Sequence, residues 1–256
     1  MVERTDQPRV GATFFFPDRL TAGTHVSLAD EAAQHARVLR IGPGEPVEMR
    51  NGAGGAARGV ITRMTKRSLT VDVDETWEIP APAEIHMLVP VGDRERMLML
   101  AEKVTELGAA SWRPVMWRRS KSVEGRGEGP TFVGRIRSRM ISALTQSGGG
   151  WLPEIHPSAP VARAIAASPS ATRVLLDANG AQSMLSIGQD FPMVIALGPE
   201  GGLAEDEHQQ MIDAGFTPVR IAPAVLRFET AGIAALAIAR AIGERSNSNP
   251  GRASNA

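Results

Sequence analysis

Between residues 85 and 242 two kinds of apolar patterning take turns. Short blocks of aliphatic residues come first: Ile85-His86-Met87-Leu88-Val89-Pro90, Val174-Leu175-Leu176, Met193-Val194-Ile195-Ala196-Leu197 and Val219-Arg220-Ile221. Stretches follow in which apolar residues return every third or fourth position. The first kind suits a strand buried on both faces, the second a helix with one apolar side. A chain that alternates them folds as a mostly parallel sheet with helices on its faces. Helices are expected over 94–107, 131–146, 204–214 and 230–242. In the first of these, Met97, Leu100, Ala101, Val104 and Leu107 share a stripe and Gly108 is the stop. A further strand is expected over 112–116. The glycine-rich, charged stretch 120–130 reads as a mobile loop.

The first 75 or so residues have a different texture. Val47-Glu48-Met49 runs into Asn51-Gly52, a strong turn signal, and Gly59-Val60-Ile61 and Leu69-Thr70-Val71-Asp72-Val73 read as strands. One helix interrupts, over 29–39. Ala32, Ala33, Ala36 and Leu39 face inward, Asp30 caps or charges its start, and Gly42-Pro43-Gly44 ends it. Short strands of this kind close naturally into a small barrel. Residues 78–83, with two prolines, read as a stiff linker. The expected organisation is a barrel over 1–77, an α/β domain over 84–245 and a disordered tail over 246–256. The last helix is apolar nearly all round and built from small residues, Ala231-Gly232-Ile233-Ala234-Ala235-Leu236-Ala237-Ile238-Ala239. That composition suits burial on several sides, in a tightly threaded core or at a subunit interface.

Cysteine is absent, which removes disulfides, thiolate nucleophiles and cysteine-bound zinc. The five histidines show no metal-ligand spacing, so no metal is expected. No apolar run is long enough to span a bilayer and the start lacks the apolar core of a signal peptide, so a cytoplasmic protein without a membrane is expected. The 28 basic and 28 acidic residues cancel, but not locally. Positions 112–139 hold 8 basic residues against 2 acids: Arg113, Arg118, Arg119, Lys121, Arg126, Arg135, Arg137 and Arg139, interleaved with Trp112 and Trp117. Guanidinium groups pair with phosphates and aromatic faces stack on bases. The segment reads either as a phosphate-binding surface or as a solvated arginine face.

Two segments sit where an α/β sheet binds its ligands. Leu197-Gly198-Pro199-Glu200-Gly201-Gly202-Leu203 follows a buried strand and leads into a helix. It is neither a dinucleotide fingerprint nor a phosphate loop, and reads as a ligand loop or an ordinary turn. Ile221-Ala222-Pro223-Ala224-Val225-Leu226-Arg227-Phe228-Glu229-Thr230-Ala231 places Arg227 and Glu229 between a strand and the most apolar helix. Thr230 could cap that helix, and Glu229 either serves its positive end or faces an active cleft.

Taken together, L-G-P-E-G-G-L and A-P-x-V-L-R-x-E-T-A resemble the knotted SPOUT methyltransferases. The chain from about 14 to 242 is similar to one branch, the RsmE family of small-subunit ribosomal RNA uridine-N3 methyltransferases. Supporting segments are His35-Ala36-Arg37-Val38-Leu39-Arg40-Ile41-Gly42-Pro43-Gly44-Glu45, Glu102-Lys103-Val104-Thr105-Glu106-Leu107-Gly108, Arg119-Ser120, Gln146-Ser147 and Leu152-Pro153-Glu154-Ile155. The resemblance implies an N-terminal PUA-like small β-barrel that helps hold RNA. It implies a SPOUT α/β domain with a C-terminal trefoil knot that binds S-adenosylmethionine. It also implies a homodimer, acting on 16S ribosomal RNA within the small ribosomal subunit. The implied cofactor positions are Leu197, Gly198, Gly201, Gly202, Ile221, Leu226, Thr230 and Ala231. Phosphate contacts would come from Arg113, Arg118, Arg119, Arg135 and Arg139. The family often has threonine where Phe228 stands, and an acid and an arginine around Gln146-Ser147, where Thr145 and Gly148-Gly149-Gly150 stand here.

The activity implied is S-adenosylmethionine-dependent methylation of N3 of one uridine. That nitrogen carries a proton, so an acceptor is needed, as is a donor for charge spreading onto the neighbouring carbonyl oxygens. Arg227 is assigned the charge-stabilising role, with Glu229 as first choice for the proton acceptor and Glu200 as second. The alternatives are a related knotted enzyme acting on the ribose 2′-oxygen and a non-catalytic RNA-binding or assembly factor. Val89-Pro90-Val91-Gly92-Asp93-Arg94 lacks the asparagine expected of the ribose branch.

Overall fold

The computed structural model describes residues 11–120, 129–187 and 190–248. Lys121 and Arg126, most of the expected 120–130 loop and the end of the expected tail lie outside the described residues. The described residues up to 81, together with 141–151, form one unit; those of 82–140 and 152–248 form another.

The first unit contains β1 (Thr13–Phe15), β2 (His25–Leu28), α1 (Asp30–Leu39), β3 (Pro46–Arg50), β4 (Gly55–Met64) and β5 (Leu69–Glu78). Its sheet runs β1-β3-β4-β5-β2, with β1 parallel to β3 and the other pairs antiparallel. The β3–β4 turn falls where Asn51-Gly52 placed it, because the Asn51 side-chain oxygen accepts from the amides of Ala53 and Gly55, both at 2.8 Å. Ala33 and Ala36 of α1 pack into the core with Phe14, Val47, Met49 and Ile61. Leu39, expected inward, is exposed, and the helix has Ala29 at its N-cap, so Asp30 charges the start without capping it. Residues 141–151 join this unit through the Trp151 indole, which donates to the Ile79 carbonyl at 2.9 Å, and through the Gly54 amide, which donates to the Gly150 carbonyl at 2.9 Å.

A charged network lies across β3 and β4. Glu48 stands opposite Arg58 and accepts from it at 2.9 Å, and accepts from Arg50 at 2.6 Å. Burial alone would push the Glu48 carboxyl up, but the hydrogen bonds and charges of Arg58 and Arg50 outweigh it, and the carboxyl titrates below its ordinary value. A carboxyl that is more acidic folded than unfolded stabilises the fold at neutral pH, and that contribution is lost as pH falls through the folded value. Glu48→Gln leaves two largely buried guanidinium groups without their anion. Urea unfolding at pH 7 should show a loss of about 3 kcal/mol. The wild-type advantage over the variant should shrink on acidification.

The second unit contains β6 (Ile85–Pro90), α2 (Arg94–Glu106), β7 (Ser111–Met116), the start of α3 (Pro130–Ser147), β8 (Glu154–Ile155), β9 (Ala159–Pro160), α4 (Val161–Ala166), β10 (Thr172–Leu176), β11 (Gln182–Ser183), β12 (Met193–Leu197), α5 (Glu205–Asp213), β13 (Thr217–Arg220) and α6 (Phe228–Ser248). The sheet order is β11-β13-β10-β12-β6-β7-β8, with β9 beside β7, and every pairing is parallel. The Asp93 side chain accepts from the Arg96 amide and caps α2.

α6 starts two residues before the expected helix and runs six residues past Ile242, so Ser246–Ser248, expected in the tail, are helical. Ala235, Leu236 and Ala239 are fully buried. Gly232 lets α6 approach closely, since a β-carbon there would come within 3.0 Å of Leu100. Phe228 packs over Gly92 and is itself buried. Arg240 donates to the carbonyls of Ala83 (2.7 Å), Leu107 (3.0 Å) and Gly108 (2.6 Å), tying α6 to the end of α2.

Candidate functional site

β13, β10 and β12 are adjacent, and the loops leaving their carboxyl ends wall a cleft of about 650 Å³. β10 contributes Leu175 and Leu176 and passes into Asp177-Ala178-Asn179. β12 contributes Leu197 and passes into 198–203. β13 contributes Val219 and passes into 221–226. Phe228 and Ala231 of α6, Glu205 and His208 of α5, and Arg119 complete the wall. This is the edge at which parallel α/β sheets bind ligands, and the size suits a small cofactor.

The local sequence explains the shape. Gly202 has φ +69°, a conformation side chains disfavour, and its amide donates to the Pro199 carbonyl at 2.9 Å to close a turn. Gly180 is held tighter still: a β-carbon there would lie 2.8–2.9 Å from the backbone of Val219. The segment leaving β10 therefore passes directly against β13. Glu207 is buried and accepts from the amides of Arg118 (2.7 Å) and Ala204 (3.0 Å), which fixes the chain beside Arg119 to the start of α5.

Leu197, Gly198, Gly201, Gly202, Ile221, Leu226 and Ala231 line the cleft, as does Glu200. Thr230 does not. It is exposed, and because α6 begins at Phe228 it lies within the first turn and is not the N-cap. Arg227 is exposed, outside the lining, and its side chain makes no hydrogen bond or ion pair with another described residue. Glu229 is buried and also outside the lining. One of its oxygens lies 3.8 Å from the Arg96 guanidinium, and the other is buried without a hydrogen-bond partner. The same guanidinium lies 3.0 Å from Glu200.

Sequence reasoning missed Arg96, Glu207 and the pair His208–Asp177, whose side chains meet at 3.2 Å in the cleft wall. No spacing rule could have joined His208 to Asp177, because one stands on α5 and the other in the loop after β10, 31 residues apart in the chain. The two arginines that open α2 were a visible oddity, at a helix end that disfavours cations.

The arginines expected to meet phosphate are dispersed. Arg119 lines the cleft and donates to the Gly201 carbonyl at 3.3 Å. Arg118 pairs with Asp206, Arg135 with Glu95 at 3.5 Å and Arg139 with Glu102 at 3.2 Å, all at the surface. Arg113 is half-buried and donates to the Pro157 carbonyl at 3.4 Å. Exposed pairs of this kind are screened by water and are readily exchanged for another anion. Among the described residues there is no cluster of three or more metal-ligating side chains, and no helix long and apolar enough to cross a membrane.

Comparison with known proteins is consistent along the chain. A family model for an RNA methyltransferase domain matches residues 79–240, and one for an RNA methyltransferase PUA domain matches 28–74. The chain is 29% identical over 239 residues to the ribosomal RNA small subunit methyltransferase E of Mycobacterium bovis, covering 88% of this chain and 90% of that one. Among solved structures it is similar to a ribosomal RNA small subunit methyltransferase E from Neisseria gonorrhoeae bound to S-adenosyl methionine. That match has a TM-score of 0.83 and 28% identity, covering 90% of this chain and 97% of that one. A methyltransferase from Legionella pneumophila in complex with the same cofactor gives a TM-score of 0.84 at 26% identity, covering 91% and 98%. The fold is α/β, with a PUA-like N-terminal unit followed by a SPOUT-type methyltransferase unit. With a family model spanning the whole sheet and its cleft, the chain belongs to the RNA methyltransferase domain family.

Proposed function

We propose that this chain uses S-adenosylmethionine to methylate N3 of a uridine in 16S ribosomal RNA. The observation that carries the reading is the cleft. The two segments that bear the family resemblance fold onto one cavity at the sheet edge, as a cofactor site requires. The residues present fit the cofactor. Leu175, Leu197, Val219 and Leu226 offer apolar surface, and the loop glycines bring backbone close. Asp177, Glu200 and Glu205 put three carboxylates in the wall against one arginine, which suits a cation. S-adenosylmethionine supplies a methyl group already activated on a sulfonium, so the protein's work is to position the acceptor and move its proton.

Glu200 lines the cleft and Glu229 does not, so we place Glu200 ahead of Glu229 as the group that takes the N3 proton. We assign Arg227 to meeting negative charge on the substrate, a role supported by its exposure and by its lack of a side-chain partner among the described residues. Calorimetry with S-adenosylmethionine, together with mass-spectrometric mapping of ribosomal RNA from a deletion strain with and without the restored gene, tests the reading. Binding and one restored methyluridine are expected. No binding, or no difference in the RNA, ends it.

The further expectations are proposals of the same kind. The first unit holds RNA of a small ribosomal subunit in the cytoplasm, and Arg118, Arg119, Arg135 and Arg139 of the second unit contact phosphate. Replacing one of these arginines by alanine should flatten the slope of log affinity for RNA against log salt by about 0.7–0.9 for each phosphate the side chain had neutralised. The close passage of Gly180 against Val219 supports a knotted path through 177–226. The enzyme works as a homodimer through the outer face of α6, where Thr230, Ala237 and Ala241 are exposed and Ala234 half-exposed, small enough for a second backbone to approach. Ala237→Glu should shift sedimentation from dimer to monomer.

A further inference from the structure

The first turn of α2 carries Arg94 and Arg96 at the positive end of the helix, where a cation needs compensation. Arg94 finds it over the Phe132 ring, 5.4 Å from the centroid. Arg96 finds it elsewhere. Its Nη1 lies 3.0 Å from Glu200 Oε1 in the loop after β12, and its Nε lies 3.8 Å from Glu229 Oε1 in the first turn of α6. Three segments distant in sequence thus meet at one guanidinium beside the cleft.

The two acids need this cation differently. The Glu229 side chain is 7% exposed and its second oxygen has no hydrogen-bond partner, so without Arg96 it would be a buried charge with no counter-ion. Glu200 stands on a turn rich in glycine, and the Arg96 pair is the contact among described residues that fixes its side chain. Arg96 is itself absent from the cleft lining.

We propose that Arg96 is a positioning residue for methyl transfer: it holds the Glu200 carboxylate at the cleft wall and anchors that hold to Glu229 at the start of α6. This rests on the reading of the cleft as a methyl-transfer site with Glu200 in the proton step. Arg96 acts through Glu200, so its effect belongs in turnover and disappears once Glu200 no longer carries its charge.

The test is a double-mutant cycle on steady-state methylation of a 16S RNA fragment, with wild type, R96M, E200Q and R96M/E200Q, plus R96K. S-adenosylmethionine affinity and melting temperature are measured alongside. R96M should lower kcat by about tenfold or more, with KM for the cofactor within about twofold. R96K should recover most of the loss, because an ammonium keeps the charge and one contact. In the E200Q background, R96M should change kcat by less than about twofold. Wild-type kcat in R96M, or the same tenfold loss in both backgrounds, overturns the proposal. If R96M does not fold, R96K and R96K/E200Q complete the cycle, and equal losses from R96K in both backgrounds again overturn it. A wild-type enzyme that neither binds the cofactor nor methylates the RNA defeats the reading of the cleft, whereas an active wild type indifferent to Arg96 defeats this inference alone.

Discussion

Glu200→Gln is expected to lower the turnover of methyl transfer by about 10²–10⁴-fold, the usual range for loss of a general base. The substitution keeps size and hydrogen-bonding shape but removes the group that can take a proton. Cofactor affinity should fall much less, since Asp177 and Glu205 remain in the wall. Glu229→Gln should cost turnover about tenfold or less, because among the described residues the Glu229 carboxylate is linked to the cleft wall through Arg96 and Glu200. Single-turnover kinetics with saturating cofactor separates the two. Full turnover by Glu200→Gln overturns the assignment, and a stalled Glu229→Gln enzyme with intact binding restores the order expected from sequence.

Gly180→Ala should be the most damaging substitution of a single small residue near the cleft. The added β-carbon meets the Val219 backbone at 2.8–2.9 Å, and backbone paired with a neighbouring strand on both sides cannot move aside as a side-chain tip can. Separation of the 177–180 segment from β13 also breaks the hydrogen bond from the Asp177 amide to the Val219 carbonyl, 3.0 Å in the native chain. A stability loss of about 3 kcal/mol is expected by denaturant unfolding, at the upper end for overpacking. Cofactor affinity measured by calorimetry at 10 °C, where folded protein remains, should fall at least about tenfold. An alanine variant that melts and binds like wild type would show that β13 and this segment yield easily.

The parallel sheet is legible in the amino-acid pattern alone, because β6, β10 and β12 each carry a run of at least three consecutive apolar residues and α2 keeps one stripe. Two of the three loops that wall the cleft, those after β12 and β13, are legible for the same reason, whereas Asp177-Ala178-Asn179 after β10 carries no such mark in the sequence. β8, β9 and β11 are not legible, since two residues carry no periodicity. α4 also escapes, being a six-residue helix entered through Pro160. The start of α6 is misplaced because Phe228 and Glu229 read as part of a motif and not as the opening of a helical turn. Of the cleft lining, the glycines alone leave 198–202 open between a ligand loop and an ordinary turn, and the family resemblance is what singles out Leu197, Gly198, Gly201, Gly202, Ile221, Leu226 and Ala231. Arg96, Asp177 and His208 are not foreseeable, because their partners come from other strands and helices, and pattern along the chain carries no record of such meetings.

The strand order has a cost during synthesis. Ile85 of β6 pairs with Met193 of β12, so this edge of β6 waits for roughly one hundred residues to be translated before it is covered. At ordinary elongation rates that is roughly 5–20 s with a mostly apolar strand open on one side. A newborn chain of this kind is a natural client for chaperones that shield exposed edges, and a heat-denatured sample should regain activity slowly, in competition with aggregation.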